Sequence, residues 1–221
     1  MTVEDPLVTI ARHLEGATFL GFAALGDSFT AGVGCRPGGS WPDQLADSLR
    51  RWNADLIYRN FALQGATSAE VQEQVGPALQ LEPDLVTVVC GANDVLKSVR
   101  PDLEGYGRRL SRIFTRLQEN LPGVLIITAT APERWRFLEL RPRTQRRVVA
   151  GLRGLNERTR RVAHQHGVLC LDVVGHPGLD DPQNFGPDGL HPSAAGHAKA
   201  AQEFQRLLLT QLERKGRRSS T

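Results

Sequence analysis

The stretch AALGDSFTAGVG, Ala23 to Gly34, carries a short apolar run directly into Gly26-Asp27-Ser28 and then into further small residues. An apolar run stopped by glycine reads as a buried strand ending in a tight turn. The turn would expose the hydroxyl of Ser28, so the question is whether other strands end beside it.

Four more runs have the length and β-branched content of strands: DLIYRNFA (55–62), DLVTVVC (84–90), VLIITAT (124–130) and VLCLDVV (168–174), with TFLGFAAL (18–25) as the first. They are mostly apolar rather than alternating, which suits strands covered on both faces. Helical patterns lie between and after them. Ser40 precedes WPDQLADSLRRW with Pro42 near the first helical position. Thr67 and Glu70 have capping-box spacing before a helix to about Leu81. Pro101 opens a third helix, a fourth runs from about Thr144 to His166, and Pro192 opens the last, which runs to Glu213. Alternating strands and helices predict an α/β fold, a three-layer α/β/α sandwich around a five-stranded parallel sheet. The 221 residues show no internal repeat and no dividing linker, so one domain is expected over 1–221. Its core covers about 18–213 and its basic tail, 214–221, is flexible.

In such a sheet ligands bind beyond the carboxyl ends of the strands, so the segments that follow the strands hold the candidates. These are Gly26-Asp27-Ser28, then NFALQG ending at Gly65, then Gly91-Ala92-Asn93-Asp94, and finally FGPDGLHPS with Asp188 and His191. A serine hydroxyl becomes a nucleophile only when a base takes its proton and a third group orients that base. His191 and Asp188, three residues apart in a loop entering a helix, suit those roles. Attack on a carbonyl also builds an oxyanion, for which the backbone N–H groups of Ser28 and Gly65 and the Asn93 side-chain amide are suitable donors. On Gly-Asp-Ser alone, a helix-capping serine is the better reading; the four segments together favour chemistry.

Those segments, GDSFTAG, NFALQG, GAND and DGLHP, resemble in order the conserved blocks of the SGNH hydrolases, also called the GDSL esterase/lipase family, over about Phe19 to Leu209. The resemblance implies Ser28 as nucleophile, His191 as general base and acid, Asp188 as its partner, and an oxyanion hole of Ser28, Gly65 and Asn93. It also implies flavodoxin-like strand order 2-1-3-4-5 and no metal or organic cofactor. The expected activity is a serine esterase acting on small to medium acyl groups at an open cleft through an acyl-enzyme. An acyltransferase or thioesterase sharing that intermediate is the alternative. Asp27 and Asp94 are read as braces.

The Arg-rich segment from Glu133 to Arg161 has two readings. It is either the solvated face of the fourth helix or, in its first part, a source of substrate contacts from Trp135 and Phe137. Phe185 is a further candidate contact. A polyanion-binding protein with a vestigial site is the reading from another class. Net charge is only +3 and the basic residues are interleaved with Glu, so no nucleic-acid partner is expected. The partner is a small-molecule ester; oligomeric state is open. His13, His164, His166, His176 and His197 have no ligand-spaced partners and are read as surface or packing residues, and no zinc set is visible. Three cysteines imply no disulfide framework. The acidic start MTVEDP and the lack of an apolar run near the roughly 18 residues of a span give a cytoplasmic expectation with no membrane span.

Overall fold

The computed structural model describes residues 20–133 and 137–219. Five strands form one sheet: β1 (Gly21–Gly26), β2 (Ile57–Asn60), β3 (Leu85–Val89), β4 (Leu125–Ala129) and β5 (Leu169–Leu171). All pairs are parallel, in the order β2-β1-β3-β4-β5. The expected fold and strand order are both present. β1 and β3 are buried at every position, whereas β2, at one edge, alternates exposed and half-buried residues. Strands β2 to β5 are shorter than their apolar runs, which extend beyond the ladder at both ends.

Seven α-helices occur among the described residues: α1 (Ser28–Ala31), α2 (Trp41–Arg50), α3 (Ser68–Leu79), α4 (Ala92–Leu96), α5 (Leu103–Asn120), α6 (Pro142–Gln165) and α7 (Ala194–Ser219). On one face of the sheet, α3, α5 and α6 bury Val75, Leu110, Phe114 and Leu155 against Ala23, Val86 and Val88. On the other, α2 and α7 bury Trp41, Leu45, Phe204 and Leu208 against Phe22, Ala24 and Ile127. The Trp41 and Phe204 rings stack with centroids 4.0 Å apart, joining α2 to α7.

The caps follow the sequence signals. Ser40 and Asp43 form a reciprocal box, with each side chain accepting the other residue's amide. Glu70 accepts both the amide of Thr67 (2.7 Å) and its hydroxyl (2.8 Å). Helix α5 begins two residues after Pro101, because Asp102 caps it through the amide of Gly105. Helix α7 likewise begins after Pro192, and continues past the expected Glu213 to Ser219. No helix among the described residues is long and apolar enough to cross a membrane.

Register fixes the floor of the cleft described below. Gly26 pairs with Val89, Val88 with Thr128, and Ala129 with Leu171, so the carboxyl ends of β1, β3, β4 and β5 are level.

Candidate active site

At the end of β1 only glycine fits. A Cβ on Gly26 would stand 2.5 Å from both the Val89 carbonyl and the Thr30 hydroxyl. The buried amide of Gln74 clasps this residue, donating to its carbonyl (2.9 Å) and accepting from its N–H (2.8 Å). Asp27 follows as the N-cap of α1, accepting the amide of Phe29 at 3.1 Å. Burial pushes its carboxyl up to about 6. Ser28, half-buried, is therefore held at the first position of a helix whose entry is clamped on both sides.

From the opposite side, the loop after β5 brings His191. Its Nε2 lies 2.9 Å from Ser28 Oγ and its Nδ1 lies 2.6 Å from Asp188 Oδ2. The other Asp188 oxygen accepts the amides of Leu190 (3.0 Å) and His191 (2.9 Å), so the carboxylate is fixed to the loop that carries the imidazole. Partial burial raises the Asp188 carboxyl, but the bonds from the His191 ring and these two amides outweigh it and hold the group at about 2. Serine, histidine and aspartate form one continuous chain of hydrogen bonds.

Gly65, with φ of +76°, and Asn93 line the same cleft as Ser28 and His191. The positive φ is a conformation that side chains disfavour. The Gly65 carbonyl receives the Lys97 ammonium at 2.5 Å. Asn93 donates one amide hydrogen to the Ala66 carbonyl at 3.0 Å, leaving its second hydrogen free of that bond. Asp94 accepts both the amide (2.8 Å) and the hydroxyl (2.5 Å) of Ser68, and Arg109 bonds both Ser68 Oγ (2.7 Å) and Asp94 (3.1 Å). The two loops that carry Gly65 and Asn93 are thus tied together, and Asp27 and Asp94 serve as braces.

The cleft has a volume of about 350 Å³. Phe185 lines it. Phe137 is not part of its wall; it packs against the Phe185 ring, with centroids 5.1 Å apart. Trp135 lies outside the described residues, as does His13. His176, read from the sequence as a surface or packing residue, belongs to the cleft wall and pairs with Glu203 at 3.5 Å. His197 is fully buried, accepting the Trp41 amide on Nδ1 (3.3 Å) and facing the Val33 carbonyl with Nε2 (3.2 Å). Burial lowers its basicity, in keeping with a packed neutral ring. Sequence reasoning missed Gln74, Lys97 and Arg109, which belong to no motif and reach the site from helices or their ends.

On α6, Arg153 pairs with Glu133, Arg158 with Glu104 and Arg160 with Asp172, while Arg147 donates to the carbonyls of Val95 and Ser98. These guanidinium groups knit loops to helices. Among the described residues no cluster of three or more His, Cys, Asp or Glu could hold a metal ion.

No curated protein matches the chain. Among solved structures, 87 chains match. One is a lipase/acylhydrolase from Enterococcus faecalis, 21% identical with a TM-score of 0.68, covering 86% of this chain and 96% of its own. A psychrotrophic esterase from Pseudoalteromonas sp. is 17% identical with a TM-score of 0.67, over 88% and 99%. An extracellular lipase from Streptomyces rimosus is 19% identical with a TM-score of 0.63, over 86% and 98%. At these identities the likeness establishes the fold. The family model of GDSL-like lipases and acylhydrolases matches residues 24–199, from within β1 through β5 to the first turns of α7. The chain accordingly belongs to the GDSL-like lipase/acylhydrolase family.

Proposed function

We propose that this hydrolase cleaves carboxylic esters by a two-step acyl-enzyme route in which Ser28 is the nucleophile. The 2.9 Å separation of Ser28 Oγ and His191 Nε2 is the observation that carries this reading. With Asp188 accepting the Nδ1 proton, Nε2 presents its lone pair to the hydroxyl. His191 takes the serine proton as Oγ attacks the acyl carbon, and the resulting imidazolium is stabilised by the adjacent carboxylate. The tetrahedral oxyanion rests on the N–H groups of Ser28 and Gly65 and on the free amide hydrogen of Asn93. His191 then protonates the departing alcohol. Water, deprotonated by the same imidazole, attacks the acyl-serine, and the imidazolium returns the proton to Ser28 Oγ as the bond to the acyl carbon breaks and the acid leaves.

Two features sharpen the reading. Asp188 is half exposed, at 52% of its side chain, so its main service is to orient the ring and fix the tautomer. Three arginines of α6, Arg153, Arg158 and Arg160, are engaged with carboxylates, which weakens the polyanion-binding reading. The test is turnover of p-nitrophenyl butyrate by Ser28→Ala. Its kcat is expected to fall at least about a thousand-fold with the thermal transition retained. A folded variant with undiminished turnover removes Ser28 from the chemistry.

A further inference from the structure

We infer that the cleft is an acyl channel, running along α7 from Ser28 to the His176–Glu203 pair, that takes straight acyl chains of medium length. This rests on the assignment of Ser28 as nucleophile and names the substrate class for that site.

One face of a single helix makes the long wall. Gly196, Lys199, Ala200, Glu203 and Phe204 all line the cleft, and their spacing places them on one side of α7 over two turns. His191, whose ring meets Ser28, stands just ahead of this helix, so the wall begins at the reacting group. At about 1.5 Å of rise per residue, the stretch from Gly196 to Phe204 is about 12 Å long. Opposite it are Val89, Ala129 and Leu171, the level carboxyl ends of three strands. Val173 and Leu179 line the cleft as well. The walls between the two ends are mainly apolar, and a carbon chain there would leave water for surfaces of its own kind.

The far end is charged and stapled. His176 Nδ1 accepts the Gly178 amide at 3.0 Å, which directs Nε2 towards Glu203 at 3.5 Å. Arg206 holds the same glutamate at 2.8 Å. Asn184 donates to the Gly178 carbonyl at 2.8 Å, and the Asn184 carbonyl itself lies where a Cβ on Gly196 would stand, so the segment from Gly178 to Asn184 is packed onto α7. A methyl terminus reaching Glu203 would have to desolvate the carboxylate that Arg206 holds, which sets an upper limit on chain length. An extended chain advances about 1.2 Å per bond, since three backbone bonds span about 3.6 Å, so about 12 Å accommodates roughly ten bonds. The natural length is therefore near that of an octanoyl or decanoyl group.

Ala200 is the specificity-determining residue in this scheme. It lies midway along the wall, one turn from each end, and a larger side chain there would fill the channel beyond its first few carbons. The floor beneath does not yield, because Phe204 is fully buried and stacked on Trp41.

The experiment measures kcat/KM for p-nitrophenyl acetate, butyrate, octanoate, decanoate and palmitate with the wild type, Ala200→Val and Ala200→Phe. Calorimetry of decanoate binding to Ser28→Ala and to Ser28→Ala/Ala200→Phe is run alongside. The wild type is expected to peak at octanoate or decanoate and to fall at palmitate. The octanoate-to-acetate ratio is expected to drop at least about ten-fold in Ala200→Phe and by less in Ala200→Val. Decanoate should bind Ser28→Ala and fail to bind the double variant. A profile falling from acetate onward, or a ratio unmoved by both substitutions, overturns the channel. If no ester is turned over, the esterase assignment fails and calorimetry alone decides: the expected binding pattern upholds the channel, and absent or unaltered decanoate binding overturns it.

Discussion

Arg109 Nε donates to Ser68 Oγ at 2.7 Å, and through this bond α5 grips the junction between the loop of Gly65 and the helix that follows it. The same guanidinium reaches Asp94 at 3.1 Å, next to Asn93. One side chain thereby sets the spacing of both loops proposed to cradle the oxyanion. Asn93→Ala is expected to lower kcat by about 10²–10³ with little change in KM. Arg109→Met should lower kcat by about ten-fold, and Arg109→Lys should recover part of the loss. Because Arg109 is a positioning residue, its effect should largely vanish in the Asn93→Ala background, as a double-mutant cycle would record. Additive losses would mean that Arg109 acts by some other route.

Asp27 gives a pH dependence of defined sign. Its carboxyl is raised from 3.8 to about 6, chiefly by burial, so the folded state binds the proton more tightly than the unfolded chain. The stability associated with the protonated form is fully present below about 3.8 and is lost as pH rises through about 6. Two units correspond to about 3 kcal/mol. Asp27→Asn should therefore gain stability relative to the wild type between pH 4 and pH 7. The checking measurement is urea denaturation of both proteins across that range. A difference that stays constant with pH would show that Asp27 does not titrate there.

Gln74 satisfies both backbone groups of Gly26 from 48 residues away. Replacement by Leu keeps the volume approximately but strands the buried Gly26 N–H, while the Gly26 carbonyl keeps the Leu63 amide at 3.2 Å. The expected loss is about 1–3 kcal/mol, the cost of one unsatisfied buried group. Chemical denaturation measures it, and a loss below 0.5 kcal/mol, the usual scale for surface substitutions of roughly that size, would contradict the clasp.

Much of this arrangement is legible in the sequence for physical reasons. Strands buried on both faces must be apolar throughout, so β1 and β3 stand out, and the Ser40 and Thr67 caps follow from spacing alone. Ser28, Asp188 and His191 could be singled out because each follows a strand, and the structure brings them within hydrogen-bonding distance. The short helices α1 and α4 escape such reading, since four or five residues carry no helical period. Gln74 and Arg109 escape it too, because their partners lie 48 and 41 residues away. Substrate contacts were expected from the segment after β4, through Trp135 and Phe137. Thr130, Ala131 and Pro132 after β4 and the expected Phe185 do line the cleft, Phe137 does not, and the wall draws also on α7, where Ala200 and Phe204 look like ordinary core positions in an amphipathic helix.

The most direct measurement of the central claim is mass spectrometry of the protein after reaction with a p-nitrophenyl alkylphosphonate, which mimics the tetrahedral intermediate. Ser28 as activated nucleophile predicts one phosphonyl group per chain, located on the peptide containing Ser28, with labelling slowed at least about a hundred-fold in His191→Ala. A label on any other residue, or an unlabelled Ser28 in a protein that still hydrolyses esters, would contradict it.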